Sequence, residues 1–416
     1  LFVKFIRKKV GVQKIAGFVF SMKKIYLDNS ATTSMDDEVK NEMNKYYSDI
    51  YGNPGSFHNE GLISKNAVSD ARERIAKIIG SKSSEVIFTA GGTESINLAI
   101  KGRAFAIQGK KKHIVTSTIE HPAVLETCRY LEKKGFEVSY VSPDKNGLID
   151  VNKIDEAIRD DTFLVSVIYA NNEIGVIQDI EKISEICKSK NVTFHTDACQ
   201  AAGYLDIDVN NLSVDMMSLN GSKIYGPKGV GLLYVKTGIL IEPLIHGGGQ
   251  EMNKRAGTEN VPGIRGFAKA LEIVITNREK EVERLSSLRD KLIQGIFDSI
   301  SKVKLNGHAT KRLPNNVNIS FLDVEGEAIL LYLDSKGVYA SSGSACTSST
   351  LDPSHVIVAM GIPYEYAHGS IRFSLGKDTT TEEVDYVLEI LPGIVENLRN
   401  ISPFNVDEKK LEGKNE

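Results

Sequence analysis

Between roughly residues 60 and 235, apolar positions recur in two alternating rhythms. Short runs rich in β-branched and aromatic side chains read as strands: Val86–Thr89, His113–Ser117, Phe136–Ser142, Phe163–Tyr169, Val192–His195, Asp215–Leu219 and Gly231–Val235. Between several of them apolar residues return every third or fourth position, as in Ala123–Lys134 and Ile180–Ser189, which predicts helices with one buried stripe. Alternation of this kind predicts an α/β fold with an open, mostly parallel seven-stranded sheet covered by helices on both faces. Ligands in such sheets collect beyond the carboxyl ends of the strands, so the chemistry belongs in the turns that follow them.

A longer helical period, from about Ile264 to Ile300, leads into a smaller α+β unit. That unit carries a strand at Asn316–Phe321, a helix at Gly326–Lys336, a strand at Ile371–Leu375 and a closing helix from Thr381 to Leu398. The expected organisation is a basic extension at 1–21 outside the fold and a segment at 22–36 that joins the small domain. A large domain at 37–264, a small domain at 265–402 and a charged tail at 403–416, expected to fray, complete it. The extension holds five Lys/Arg and no acid before Met22, but no long apolar stretch and no convincing cleavage site. It reads as an upstream extension, with the working protein beginning at Met22.

Composition narrows the function classes. A net charge of −3 over 416 residues gives no case for a nucleic-acid partner, and no apolar run reaches the ~18–20 residues of a membrane span. The four cysteines, Cys128, Cys187, Cys199 and Cys346, are widely spaced, which suggests neither a zinc site nor a disulfide framework. A reducing cytoplasm fits them best.

Four turns could carry chemistry. Thr89-Ala-Gly-Gly-Thr-Glu-Ser95 follows a strand and opens a helical run; the N–H groups of such a turn can cradle an anion, although alone it is equally structural punctuation. His195-Thr-Asp197-Ala-Cys-Gln200 ends a strand with an aspartate that reads by itself as a cap or loop residue, or as a partner for a cationic ring nitrogen. Ser218-Leu-Asn-Gly-Ser-Lys223 places a lysine in a small, polar turn suited to a covalently held cofactor. Ser341-Ser-Gly-Ser-Ala-Cys346-Thr-Ser-Ser-Thr350 surrounds a cysteine with small polar residues, a setting for a nucleophile more than for a packed thiol.

Taken together these turns resemble the cysteine desulfurase family, in the class V aminotransferase branch of the fold-type-I pyridoxal-phosphate enzymes. Further matching segments are Tyr26-Leu-Asp-Asn-Ser-Ala-Thr-Thr33, Asn53-Pro54, His246-Gly-Gly-Gly249, Arg255-Ala-Gly-Thr-Glu-Asn260 and Arg372-Phe-Ser-Leu-Gly376, so the likeness runs from Met22 to the last helix. The long Ser-Gly-Ser-Ala-Cys stretch places it in the subgroup with a long cysteine loop. The resemblance implies pyridoxal 5'-phosphate in the large domain, covalently held by Lys223. Asp197 would pair with the ring nitrogen, Gln200 with the phenolic oxygen, and His121 would stack on the ring as a further acid or base. Gly92, Thr93, Asn220, Gly221 and Ser222 would form the phosphate cup, and Thr258 would reach the phosphate of a second subunit in a homodimer. Asn172 would lie beside ring and substrate, and Arg372 would grip the carboxylate of L-cysteine as a bidentate pair.

Catalysis would then rest on Lys223, His121 and Cys346. Cys346, in the small domain, would receive the sulfur as a persulfide and pass it on for iron–sulfur cluster assembly or tRNA thiolation, with L-alanine released. One departure is visible: Asn220-Gly-Ser-Lys223 stands where the family often has Ser-Gly-His-Lys, so a chargeable donor to the phosphate is missing. Cys128 and Cys187 read as packed, and Cys199 as a wall of the pocket. A selenocysteine lyase, another class V aminotransferase and a catalytically silent iron–sulfur assembly scaffold are the competing readings.

Overall fold

In the computed structural model, residues 24–342, 353–403 and 406 are described. Seven strands form the main sheet: β2 (Val86–Thr89), β3 (His113–Ser117), β4 (Glu137–Val141), β5 (Thr162–Ile168), β6 (Thr193–Asp197), β7 (Met216–Asn220) and β8 (Gly231–Val235). They are ordered β2-β8-β7-β6-β5-β3-β4, with only β8 antiparallel to its neighbours. The expected mostly parallel sheet is therefore what the chain forms. β5 is buried along its whole length, as a central parallel strand covered on both faces must be, and its sequence TFLVSVI is nearly continuous in apolar residues. Strand β6 runs two residues further than its apolar pattern suggests. Thr196 and Asp197 stay in register with Val167 and Ile168, and Thr196 Oγ1 donates to the Val167 carbonyl at 2.8 Å, so a polar side chain is satisfied inside the sheet.

Helices cover both faces. One core gathers Val115, Val165, Val167, Phe194, Met217 and Leu219 from the sheet with Ile75 and Phe267 from helices; the opposite face packs Ile114, Leu164 and Leu233 against Leu98 and Val124. A third core belongs to the C-terminal unit. There β10 (Asn316–Phe321) pairs antiparallel with β9 (Val303–Leu305) and β12 (Ser370–Ser374), under helices α9 (Gly326–Ser335) and α12 (Thr381–Ile401).

Two segments link these cores. Helix α8 (Val261–Ser299) begins with Pro262 in its first turn, where a missing N–H costs nothing, and spans roughly 58 Å. Its Val261, Ile264, Phe267 and Leu271 enter the first core, and its Leu285, Leu288, Leu292 and Ile296 the third. The N-terminal strand β1 (Ile25–Tyr26) pairs in parallel with β11 (Val338–Tyr339), and Asp28 bridges to Ser374. A few residues later Thr33 is tied to the large sheet, its N–H and hydroxyl both donating to the Ser222 carbonyl at 2.9 and 3.1 Å. Residues 28–33 thus run across the turn that carries Lys223. The extension 1–21 and most of the tail lie outside the described residues; Val406 is held, its N–H donating to Asp323 Oδ1 at 2.7 Å.

Candidate active site

Strands β2, β3, β5, β6 and β7 all point the same way, so the residues that follow them meet along one edge of the sheet. Gly91–Thr93 comes after β2, His121 after β3, Asn171–Glu173 after β5, Asp197–Gln200 at the end of β6 and Asn220–Lys223 after β7. Most of the residues singled out in the sequence are thereby brought together.

Lys223 ends a short 3-10 turn, Gly221–Lys223, and its ammonium faces inward. Nζ donates to the carbonyls of Ser30 and Ala31 at 2.7 and 2.6 Å. Burial pulls its pKa below the ordinary lysine value, with Arg372 acting the same way and Cys199, Asp197 and Asp28 acting against it. A lysine so placed is closer to its neutral, nucleophilic form than one in water. Gln200 Nε2 donates to the same Ser30 carbonyl at 2.8 Å. Asp197 is 4% exposed, and its Oδ1 accepts the Cys199 N–H at 3.0 Å. Two residues upstream, His195 is wholly buried between Ser166 and Ser218, and burial drives its pKa to about 4. It is a neutral spacer, so Asp197 has no cation from that side.

His121 caps the helix α4 (Pro122–Glu132), with Pro122 at its first position. Its Nδ1 accepts the Ala123 N–H at 3.0 Å, which leaves the proton of the neutral ring on Nε2. Burial lowers its pKa and Lys223 and His355 push the same way, while Asp197 opposes them.

Helix α3 (Gly92–Ala106) supplies the anion cradle. Gly91 has φ 147°, a conformation that side chains rarely adopt, and frees the first N–H groups of the helix. A Cβ on Gly92 would sit 2.8 Å from Cys199 Sγ, so a larger residue would clash with that side chain. Thr93, Asn220, Ser222, Thr32 and Lys228 line the same cleft, of about 710 Å3. Ser30 Oγ and Thr32 Oγ1, next to this turn, are buried without a hydrogen-bond partner among the described residues. A glycine cradle at a helix start, an inward lysine, a buried carboxylate and orphaned hydroxyls suit a phosphorylated, nitrogen-containing ring aldehyde. Asn220 Oδ1 is turned back on Ser222, accepting its N–H at 3.3 Å, so this turn would offer an anion a hydroxyl and an amide.

Arg372, on β12, reaches the site from the C-terminal unit. Its guanidinium is 3% exposed, with Nη1 donating to the Asn172 carbonyl at 2.9 Å and Nη2 to Asp28 Oδ1 at 2.7 Å. Thr258 is exposed, in a segment fixed by the ion pair between Arg255 Nε and Glu94 Oε1 at 2.9 Å. Cys346 lies outside the described residues. Cys128, Cys187 and Cys199 are all buried, and burial pushes the Cys128 thiol up to about 12 and raises the other two. None of these three is a ready thiolate.

Several neighbours of the site carried no signal in the sequence. Glu120 is wholly buried; its Oε1 accepts from Ser117 Oγ at 2.6 Å and from the Ile168 N–H at 3.0 Å, while Oε2 has no partner among the described residues. Burial pushes it up to about 8, so it is protonated at neutral pH. Glu173, also raised by burial, accepts a short hydrogen bond from Ser354, and His355 Nε2 donates to the Glu120 carbonyl at 3.0 Å.

Comparison with known proteins agrees with this geometry. Residues 25–387 match the family described as Aminotransferase class-V. A protein named cysteine desulfurase IscS from Dictyoglomus turgidum is 52% identical over 387 residues, 93% of this chain and 98% of that one. Its namesake from Methanosarcina thermophila is 52% identical over 386 residues, covering 93% and 95%. Among solved structures, one described as a NifS-like protein superposes with TM-score 0.85 and 40% identity, over 90% of this chain and 100% of that one. Another, described as SspA in complex with cysteine, has TM-score 0.75 and 38% identity over 85% and 99%.

Proposed function

Because the chain belongs to the cysteine desulfurase family within the class-V aminotransferases, we propose that it moves sulfur from L-cysteine onto Cys346 with pyridoxal 5'-phosphate as cofactor, releasing L-alanine. The observation that carries this reading is the meeting of Lys223, Asp197, Gln200 and His121 beside a glycine cradle at one edge of the sheet. Lys223 is the residue to hold the cofactor, Asp197 to keep its ring nitrogen protonated, and Gly92, Thr93, Asn220, Gly221 and Ser222 to receive the phosphate. When bound, the cofactor supplies an electron sink for charge developing at the substrate α-carbon.

The chain's own groups do the rest. Arg372 and Asn172 orient the amino acid, and Lys223 Nζ, its pKa lowered by burial, takes the α-proton and returns one. His121, with Nε2 protonated, is a donor beside the ring. Cys346, as thiolate, forms a sulfur–sulfur bond to the substrate as the carbon–sulfur bond breaks, and the products are L-alanine and a persulfide on Cys346. Atoms balance without an added oxidant. Thr258 is exposed as a residue completing a partner's phosphate site would be, which supports a homodimer. The persulfide would pass to an acceptor protein, an iron–sulfur scaffold or a tRNA-thiolation protein, in the reducing cytoplasm. Among the described residues no helix is long and apolar enough to cross a membrane.

The names of the relatives favour this activity over a selenocysteine lyase, another aminotransferase or a silent scaffold. Incubating the cofactor-loaded protein with L-cysteine and a thiol reductant should yield alanine and sulfide in equal amounts. Absence of both products would overturn the proposal.

A further inference from the structure

Arg372 already has a carboxylate. Asp28 Oδ1 accepts from Nη2 at 2.7 Å and the Asn172 carbonyl from Nη1 at 2.9 Å, while Nε is buried without a hydrogen-bond partner among the described residues. The pair is fixed from both sides. Asp28 follows the fully buried Leu27 and bridges to Ser374, two residues along β12 from Arg372, so the carboxylate sits on a pinned backbone and not on a swinging surface chain. Its side chain is 21% exposed against 3% for Arg372, so the acid is the more accessible of the two partners.

We propose that Asp28 sets the affinity for the substrate: it is a resident carboxylate that keeps Arg372 paired in the empty site and competes with the incoming carboxylate for the guanidinium. This rests on the reading above, in which the carboxylate of L-cysteine meets Arg372. A buried cation without a counter-ion is strongly disfavoured, so the empty site needs Asp28. Two carboxylates on one guanidinium repel each other, so substrate binds more weakly than it would to Arg372 alone. Asp28 and Arg372 also act on Lys223 in opposite senses, Arg372 the more strongly.

The test is steady-state kinetics of the cofactor-loaded Asp28→Asn enzyme, with Asp28→Ser as the second variant should the amide fold poorly. KM for L-cysteine should fall about tenfold, and competitive inhibition by L-alanine should tighten in parallel. KM for L-cysteine methyl ester, which has no carboxylate, should not move, whereas a merely structural defect would shift both substrates. An unchanged or raised KM for L-cysteine in a variant whose parent is active would overturn the inference. If the parent itself releases no alanine from L-cysteine, the desulfurase reading is what fails.

Discussion

The ring of His121 and the backbone of Ala123 are joined by a 3.0 Å hydrogen bond in which Nδ1 accepts, so the residue expected over the cofactor is also the cap of its own helix. One nitrogen is committed to structure and the other is left for chemistry. Asparagine caps helices equally well, so His121→Asn separates the two roles. Stability should change by no more than about 1 kcal/mol, while kcat for alanine release falls by roughly 10²–10⁴, the usual share of a positioned acid or base. Thermal melts beside turnover of the same preparation check this. Equal losses in both would reduce His121 to a cap.

Lys223 is expected to be the attachment point of the cofactor. Borohydride reduction of the loaded protein should leave the cofactor mass on the peptide containing Lys223, and Lys223→Ala should abolish turnover. Recovery of the adduct on another lysine would contradict the assignment.

At Gly92 the constraint is steric. A methyl group there meets Cys199 Sγ at 2.8 Å, so Gly92→Ala should weaken cofactor retention and cost about 1–3 kcal/mol of stability. Shortening the opposing side chain with Cys199→Ala should recover part of that loss, giving a coupling energy of order 1 kcal/mol in a double-mutant cycle. Strict additivity would show that the two positions do not meet.

Glu120 makes stability depend on pH. Folded, it holds its proton to about pH 8, against 4.5 for an ordinary glutamic acid. Folding therefore takes up a proton between these values, and stability falls as pH rises through that window, by an order of a few kcal/mol in full. Glu120→Gln should flatten the decline in melting temperature between pH 5 and 8. Wild-type slope retained in the variant would show that Glu120 ionises freely.

Much of this fold is legible in the chain because its central strands are buried on both faces and read as short apolar runs, as in β5. Lys223, Asp197 and His121 are legible for a related reason: Asp197 ends β6, and Lys223 and His121 lie in the turns after β7 and β3, where a parallel sheet exposes its ligand edge. The end of β6 is less clear, since Thr196 and Asp197 are polar yet remain in the ladder. Partnerships across the chain are hidden altogether. Asp28 and Arg372 are 344 positions apart, and Glu173 and Ser354 are 181 apart, so neither pair leaves a local pattern. A buried glutamic acid such as Glu120 has the same appearance in sequence as one on a solvated turn.

The central claim, that Cys346 receives the sulfur, is tested most directly by measuring alanine and sulfide from L-cysteine with cofactor-loaded Cys346→Ala. A thiol is required to hold a persulfide, and the other three cysteines are buried with raised pKa values. Both products should therefore vanish, while L-cysteine still perturbs the cofactor's absorbance and the wild-type Cys346 peptide gains the mass of one sulfur. Alanine and sulfide continuing at the wild-type rate would contradict the account.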